Sequence, residues 1–198
     1  DMADEEMHSL YKHSKISFVQ VSTGVAVYYR NLFLKKLTGE SSAELNYAVL
    51  IDGKIFAVCG FMVGSALKDN CGYVFENYGI SLKSRRFPKL NKLLMRLMLT
   101  NDFKKVILKS FNFGISEDIK GIKTTCLSRL PEVRLNSGLL KLVSREKNKK
   151  TGIYKLQYYS DFYDKTYKQM IIEHLDEEKR YKDLLEARKD GKDNRTKD

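Results

Sequence analysis

An α+β fold is what this sequence predicts, with a central, mostly antiparallel mixed sheet flanked by helices and a closing C-terminal helix. Three observations predict it. Two β-rich runs, Leu45 to Ile51 and Lys54 to Val63, flank Asp52-Gly53, the turn chemistry of a tight hairpin. Leu90, Leu93, Leu94, Leu97 and Met98 fall at i, i+3, i+4, i+7 and i+8, one apolar helical stripe. β-rich runs then resume at Gly121, ahead of a last helical stretch from Asp164.

Taken in order, residues 1–13 form an acidic, then polar, lead-in, and Ile16 to Val21 alternates as a strand. Val25 to Leu37 repeats its apolar positions at helical spacing, and Thr38-Gly39 closes it. Gly72 to Ser81 adds a third strand to the hairpin, making a meander. Pro88 suits the first turn of the next helix, where its missing N–H costs nothing. That helix extends or restarts through Phe103 to Leu108. Gly121 to Leu127, Leu139 to Val143 and Ile153 to Tyr159 are the remaining strands, with a basic turn from Lys147 to Gly152. From Asp164 to Arg188 the pattern is helical, with Tyr167, Met170, Ile171, Leu175, Leu184 and Leu185 as candidate buried positions. Residues 1–160 make one domain, 161–188 its C-terminal helix, and 189–198 a charged tail without apolar residues, expected to be disordered.

With 198 residues, 42% hydrophobic and 31% charged, the chain can bury one sizeable core. Its longest apolar run, Ala57 to Val63, falls far short of the ~20 residues that span a bilayer. No charged-apolar-small signal pattern stands at its start, and with Asp1 in first place an upstream segment removed or left out is the expectation. Cys59, Cys71 and Cys126 form no CxxC pair and lie far from His8, His13 and His174 in sequence, so no metal site is expected. Reduced thiols in a cytoplasmic protein are the expectation. No Ser-His-Asp set, Walker loop or methyl-donor glycine motif is present, which argues against a hydrolase, an NTPase and an ordinary methyltransferase.

The net charge of +11 is concentrated in the middle of the chain. Lys83 to Lys109 holds nine Lys/Arg against one acid, and Lys120 to Lys150 nine against two, while residues 151–198 balance. Clustered like charges repel unless a partner neutralises them, and nucleic-acid phosphates are the commonest such partner. DNA is therefore the expected partner, with Lys92 and Arg96 on the outer side of the long helix and Lys147, Lys149 and Lys150 at the basic turn as phosphate contacts. Ser84, Arg85, Arg86 and Lys89, ahead of that helix, suit an anion at a helix N-terminus.

A meander followed by a helix that begins at a basic loop resembles the acyltransferase fold of the GNAT superfamily. Four features resemble phage-borne Mom-like DNA-modification proteins: Gly53-Lys54 with Gly60, the Ser84-Arg85-Arg86 helix start, Lys123-Thr124-Thr125, and Pro131 with Gly138 ahead of Leu139 to Arg145. The resemblance spans residues 16–160 and lies in order and spacing more than in any signature. It implies a GNAT-like transferase that modifies the exocyclic amine of adenine in phage DNA and so shields it from restriction. The implied donor is an acyl-CoA or related activated acyl compound, held at its pyrophosphate by Ser84, Arg85, Arg86 and Lys89. The family's glycines are missing from Arg86 to Asn91, so arginines would do the gripping. Glu76, Asn77 and Tyr78 fall where such a fold places its catalytic groups: Glu76 as base, Tyr78 as proton donor to the leaving group. Arg134 and Asn136 fall on the substrate side, and Tyr154, Tyr158 and Tyr159 could stack on an extruded base. The alternative is a noncatalytic DNA-binding phage accessory protein on a degenerate fold of this kind, which the missing glycines favour.

Overall fold

The structure is a computed structural model describing residues 10–39, 41–62, 72–83, 89–110, 119–132 and 138–193. In chain order the elements are β1 (Ile16–Gln20), α1 (Thr23–Leu34), β2 (Leu45–Ile51), β3 (Lys54–Met62), β4 (Tyr73–Ser81), α2 (Leu90–Met98) and α3 (Asn101–Ser110). Then come β5 (Gly121–Ser128), β6 (Lys141–Lys147), β7 (Tyr154–Asp161) and α4 (Tyr167–Asp193). The strands form one sheet in the order β1-β2-β3-β4-β5-β7-β6, and within it only β4 and β5 run parallel. The expected α+β architecture with a mixed sheet and a C-terminal helix is the one observed.

Local chemistry sets the boundaries. Asp52 and Gly53 take φ of 50° and 81°, the left-handed pair that a two-residue hairpin needs. The Asp52 carboxylate also accepts from the Lys15 N–H at 2.7 Å, tying the lead-in to the hairpin tip. Ser22 caps α1, its hydroxyl accepting from Val25 N–H. The helix stops at Lys35, φ 53°, short of the expected Leu37, which stands 92% exposed. Lys35 ends it because a left-handed residue turns the chain off the helix axis while its N–H still reaches the last carbonyls.

All five residues of the α2 stripe are buried. The helix begins at Leu90, with Lys89 at φ 69° as its N-cap; Pro88 lies outside the described residues. Thr100 separates α2 from α3, its hydroxyl donating to Leu97 O and accepting from Phe103 N–H, so the helix restarts rather than continues. β6 starts later than expected and runs on to Lys147, because it stays in register with β7 as far as Lys147↔Tyr154. The turn is thereby confined to 148–152, where Asn148 Oδ1 accepts from the N–H groups of Lys150 and Thr151.

α2, α3 and the first turns of α4 cover one face of the sheet, and α1 covers β2 to β4 on the other. Phe18, Tyr47, Phe61 and Phe103 meet edge-on or tilted at the centre of the first layer. Met170 and Ile171 anchor α4 in that layer. Leu184 and Leu185, expected to be buried, are 62% and 40% exposed. The reason is length: the 27 residues of α4 span ~40 Å, against ~14 Å for the nine of α2 beneath it. No described helix is long and apolar enough to cross a membrane.

Candidate active site

β4 and β5 pair only from Tyr73↔Gly121 to Glu76↔Thr124 and then part. At that point β4 carries a β-bulge. Gly60 of β3 faces Tyr78 and Phe61 faces Glu76, so Asn77 is the extra residue. The bulge divides the three expected catalytic residues between the two faces of the sheet. Glu76 lies on the α2 face with Gly79, where a Cβ would stand 2.5 Å from Glu76 Oε1 and 3.4 Å from Leu94. Tyr78 lies on the α1 face, its ring filling the space where a Cβ on Gly60 would come within 2.3 Å. The Arg30 guanidinium lies 4.6 Å from the Tyr78 centroid.

Glu76 is 6% exposed, and burial pushes its carboxyl up to about 7, with the Thr124 hydroxyl pulling the other way. A carboxyl tuned to neutrality can take a proton from an amine nucleophile and pass it on. Asn77 donates to the hydroxyls of Ser41 and Ser42 at 3.1 and 3.2 Å, fastening the loop ahead of β2 to the bulge. The Tyr78 hydroxyl donates to Asn46 Oδ1 at 2.7 Å, and burial pushes its pKa up. That bond clips β4 to β2, while Tyr78 also borders the cavity that Glu76 lines.

Two cavities flank β5 near where the strands part. One, of about 300 Å³, lies between β4, β5 and α2 and is bordered by all three expected catalytic residues, Glu76, Asn77 and Tyr78, with Asn91, Lys92 and Met95 of α2. The other, of about 870 Å³, is a trough on the opposite face, along β4, β5 and β7. Register puts Phe75, Lys123 and Tyr159 side by side on that face, with Thr125 beside Gln157. Tyr73 packs edge-on to Tyr159 at 5.3 Å, and Lys155 and Val143 complete the walls. The trough lining holds two lysines and no carboxylate. Thr124 and Thr125, neighbours on β5, border both cavities.

The other expected site residues are placed as follows. Ser84, Arg85, Arg86, Arg134 and Asn136 lie outside the described residues. Lys89 sits with its Nζ 4.1 Å from the Tyr181 centroid on α4, and Lys92 and Arg96 both pair with Glu177 of the same helix. The basic side of α2 therefore faces α4. Lys147 leans on the Tyr154 ring at 5.3 Å, and Lys149 and Lys150 are exposed at the β6–β7 turn. Because β4 and β5 run parallel and β7 runs against β5, this turn lies at the end of the sheet toward which the cleft opens. Tyr158 and Tyr159 both line the trough, Tyr158 being only 3% exposed. Sequence reading missed Tyr73, Phe75, Lys155 and Gln157. Their signal is the odd-numbered alternation of β4 and β7, which becomes a surface only once the two strands flank β5.

A family model described as a phage GNAT-like domain matches residues 13–179. A crystal structure of a GNAT-family acetyltransferase from Bacillus cereus ATCC 10987 is similar at 12% identity, covering 75% of this chain and 99% of its own, with a TM-score of 0.42. No curated protein matches.

Proposed function

The chain belongs to the phage GNAT-like family, and from that premise we propose that it transfers an acyl-type group to the exocyclic amine of adenine in phage DNA, protecting the DNA from restriction. Membership suggests acetyltransferase-type activity, and proteins of this fold generally use acyl-CoA donors. The observation that supports a transfer reaction is the buried Glu76 carboxyl lining a cavity that shares Thr124 and Thr125 with the larger trough.

The residues present fit such a donor. Beyond Glu76 the β4 backbone has no register partner in β5, so an extended amide-bearing arm can lie along it as a strand would. Gly79 contributes no side chain to the wall, and Lys92 offers a cation at its border. When bound, the donor supplies an acyl carbonyl activated by a good leaving group. Glu76 is placed to accept the proton that the acceptor amine loses as its new bond forms. An adenine amine is a weak nucleophile, since its lone pair is delocalised into the ring, so a positioned base contributes strongly. In the trough, Phe75, Tyr73 and Tyr159 offer stacking surfaces to an extruded base, and Lys123 and Lys155 offer contacts to its phosphates.

The deciding experiment is mass spectrometry of nucleosides from DNA co-expressed with the chain. A deoxyadenosine of increased mass, absent with Glu76→Gln, is the expected result; unmodified adenine with every donor supplied would overturn adenine as acceptor.

A further inference from the structure

The basic residues of α2 already have an anion for company. Lys92 Nζ and Arg96 Nη2 both donate to the Glu177 carboxylate of α4. About one turn further along α4, the Tyr181 ring covers the Lys89 ammonium at 4.1 Å. His174 packs beside them, with Nδ1 3.3 Å from Arg96 Nη1 and Nε2 3.6 Å from Glu178. Burial and then the Arg96 charge pull the His174 pKa down to about 4, so it adds no cation at neutral pH. An ammonium and a guanidinium converging on one set of oxygens is also the arrangement that holds a phosphate. Lys92 borders the cleft between β4, β5 and α2 as well as pairing with α4.

We propose that Glu177 is an internal competitor for a phosphate site on α2. Its carboxylate holds Lys92 and Arg96 until a phosphate-bearing ligand takes them over, and α4 beyond His174 then loosens from α2. Anion replaces anion, so the exchange leaves no cation stranded. Met170 and Ile171 stay buried and keep the root of α4 in place. The ligand class is a phosphate ester presented beside the cleft, from the nucleotide end of an acyl donor or from a nucleic-acid strand. The device does not depend on which amine is acylated.

Amide hydrogen exchange on the full chain tests it, with acetyl-CoA and a twelve-nucleotide single strand as separate probes. Faster exchange in 175–187 with acetyl-CoA alone assigns the phosphate to the donor, and with the oligonucleotide alone to the strand; both outcomes support the competitor. Calorimetry of Glu177→Gln should then show about threefold to tenfold tighter binding of the same probe, the size expected on removing a half-exposed rival carboxylate. Unchanged or slower exchange with both probes bound, or unchanged or weaker binding by the variant, overturns the proposal. Binding of neither probe overturns it too, and would in addition count against the acyl-CoA donor, which loss of α4 loosening alone does not touch.

Discussion

In the proposed reaction, Glu76 is the residue on which catalysis and stability pull in opposite directions. Its carboxyl holds a proton more tightly in the fold than at its ordinary value of 4.5. The stability it contributes is therefore full below about pH 4.5 and lost as pH rises to about 7. Glu76→Gln keeps the shape and removes the charge. It should lower transfer by about 10²- to 10⁴-fold yet raise stability at pH 8 by on the order of 2 kcal/mol. Urea unfolding of both proteins at pH 5 and pH 8 checks this, the gain being confined to the higher pH. The same ionisation predicts that wild-type transfer rises with pH through a limb near 7, readable from kcat/KM against pH with a donor that does not itself titrate there. Cys59, fully buried behind Glu76, has its thiol pushed well up by burial and then by that neighbouring charge, so it stays protonated and takes no part.

At the scale of elements, the β3–β4 pair shows why one glycine matters. A Cβ at Gly60 would lie 2.3 Å from Tyr78 Cε1 and 2.7 Å from the Ala43 Cβ. Gly60→Ala should destabilise by about 1–3 kcal/mol and weaken the Tyr78–Asn46 hydrogen bond, which a lowered midpoint in thermal unfolding would show. The hairpin at Asp52-Gly53 and the α2 stripe were legible in the sequence because each is written in short-range spacing. The mixed sheet was legible from the order of those elements. The bulge at Asn77 was not, since it exists only as a mismatch of register between two strands. The pairing of Lys92 and Arg96 with Glu177 was equally hidden, because it joins residues more than 80 positions apart. The basic stripe of α2 looked like a solvent face because nothing local says that α4 returns to cover it.

For the whole molecule, the question is where a charge of +11 is left open to a polyanion. α4 covers part of it on α2, whereas Lys149 and Lys150 stand exposed at the end of the sheet where the cleft opens. Replacing Lys147, Lys149 and Lys150 together by Gln should flatten the dependence of single-strand affinity on salt by about two units of slope, each lost phosphate contact removing ~0.7. A titration series between low and moderate salt measures it, and a flat dependence in the unmodified protein would remove nucleic acid as the partner. The brevity of the β4–β5 pairing has a mechanical consequence. Four residue pairs join the meander half of the sheet to the β5–β7–β6 half, where every other junction is antiparallel and longer. A guest lying along β4 would complete the ladder that those strands abandon, splinting the two halves at their weakest join. Occupancy should then appear as a melting temperature that climbs with donor concentration, and in the proposed reaction the donor would serve the protein as a temporary strand as well as a reagent.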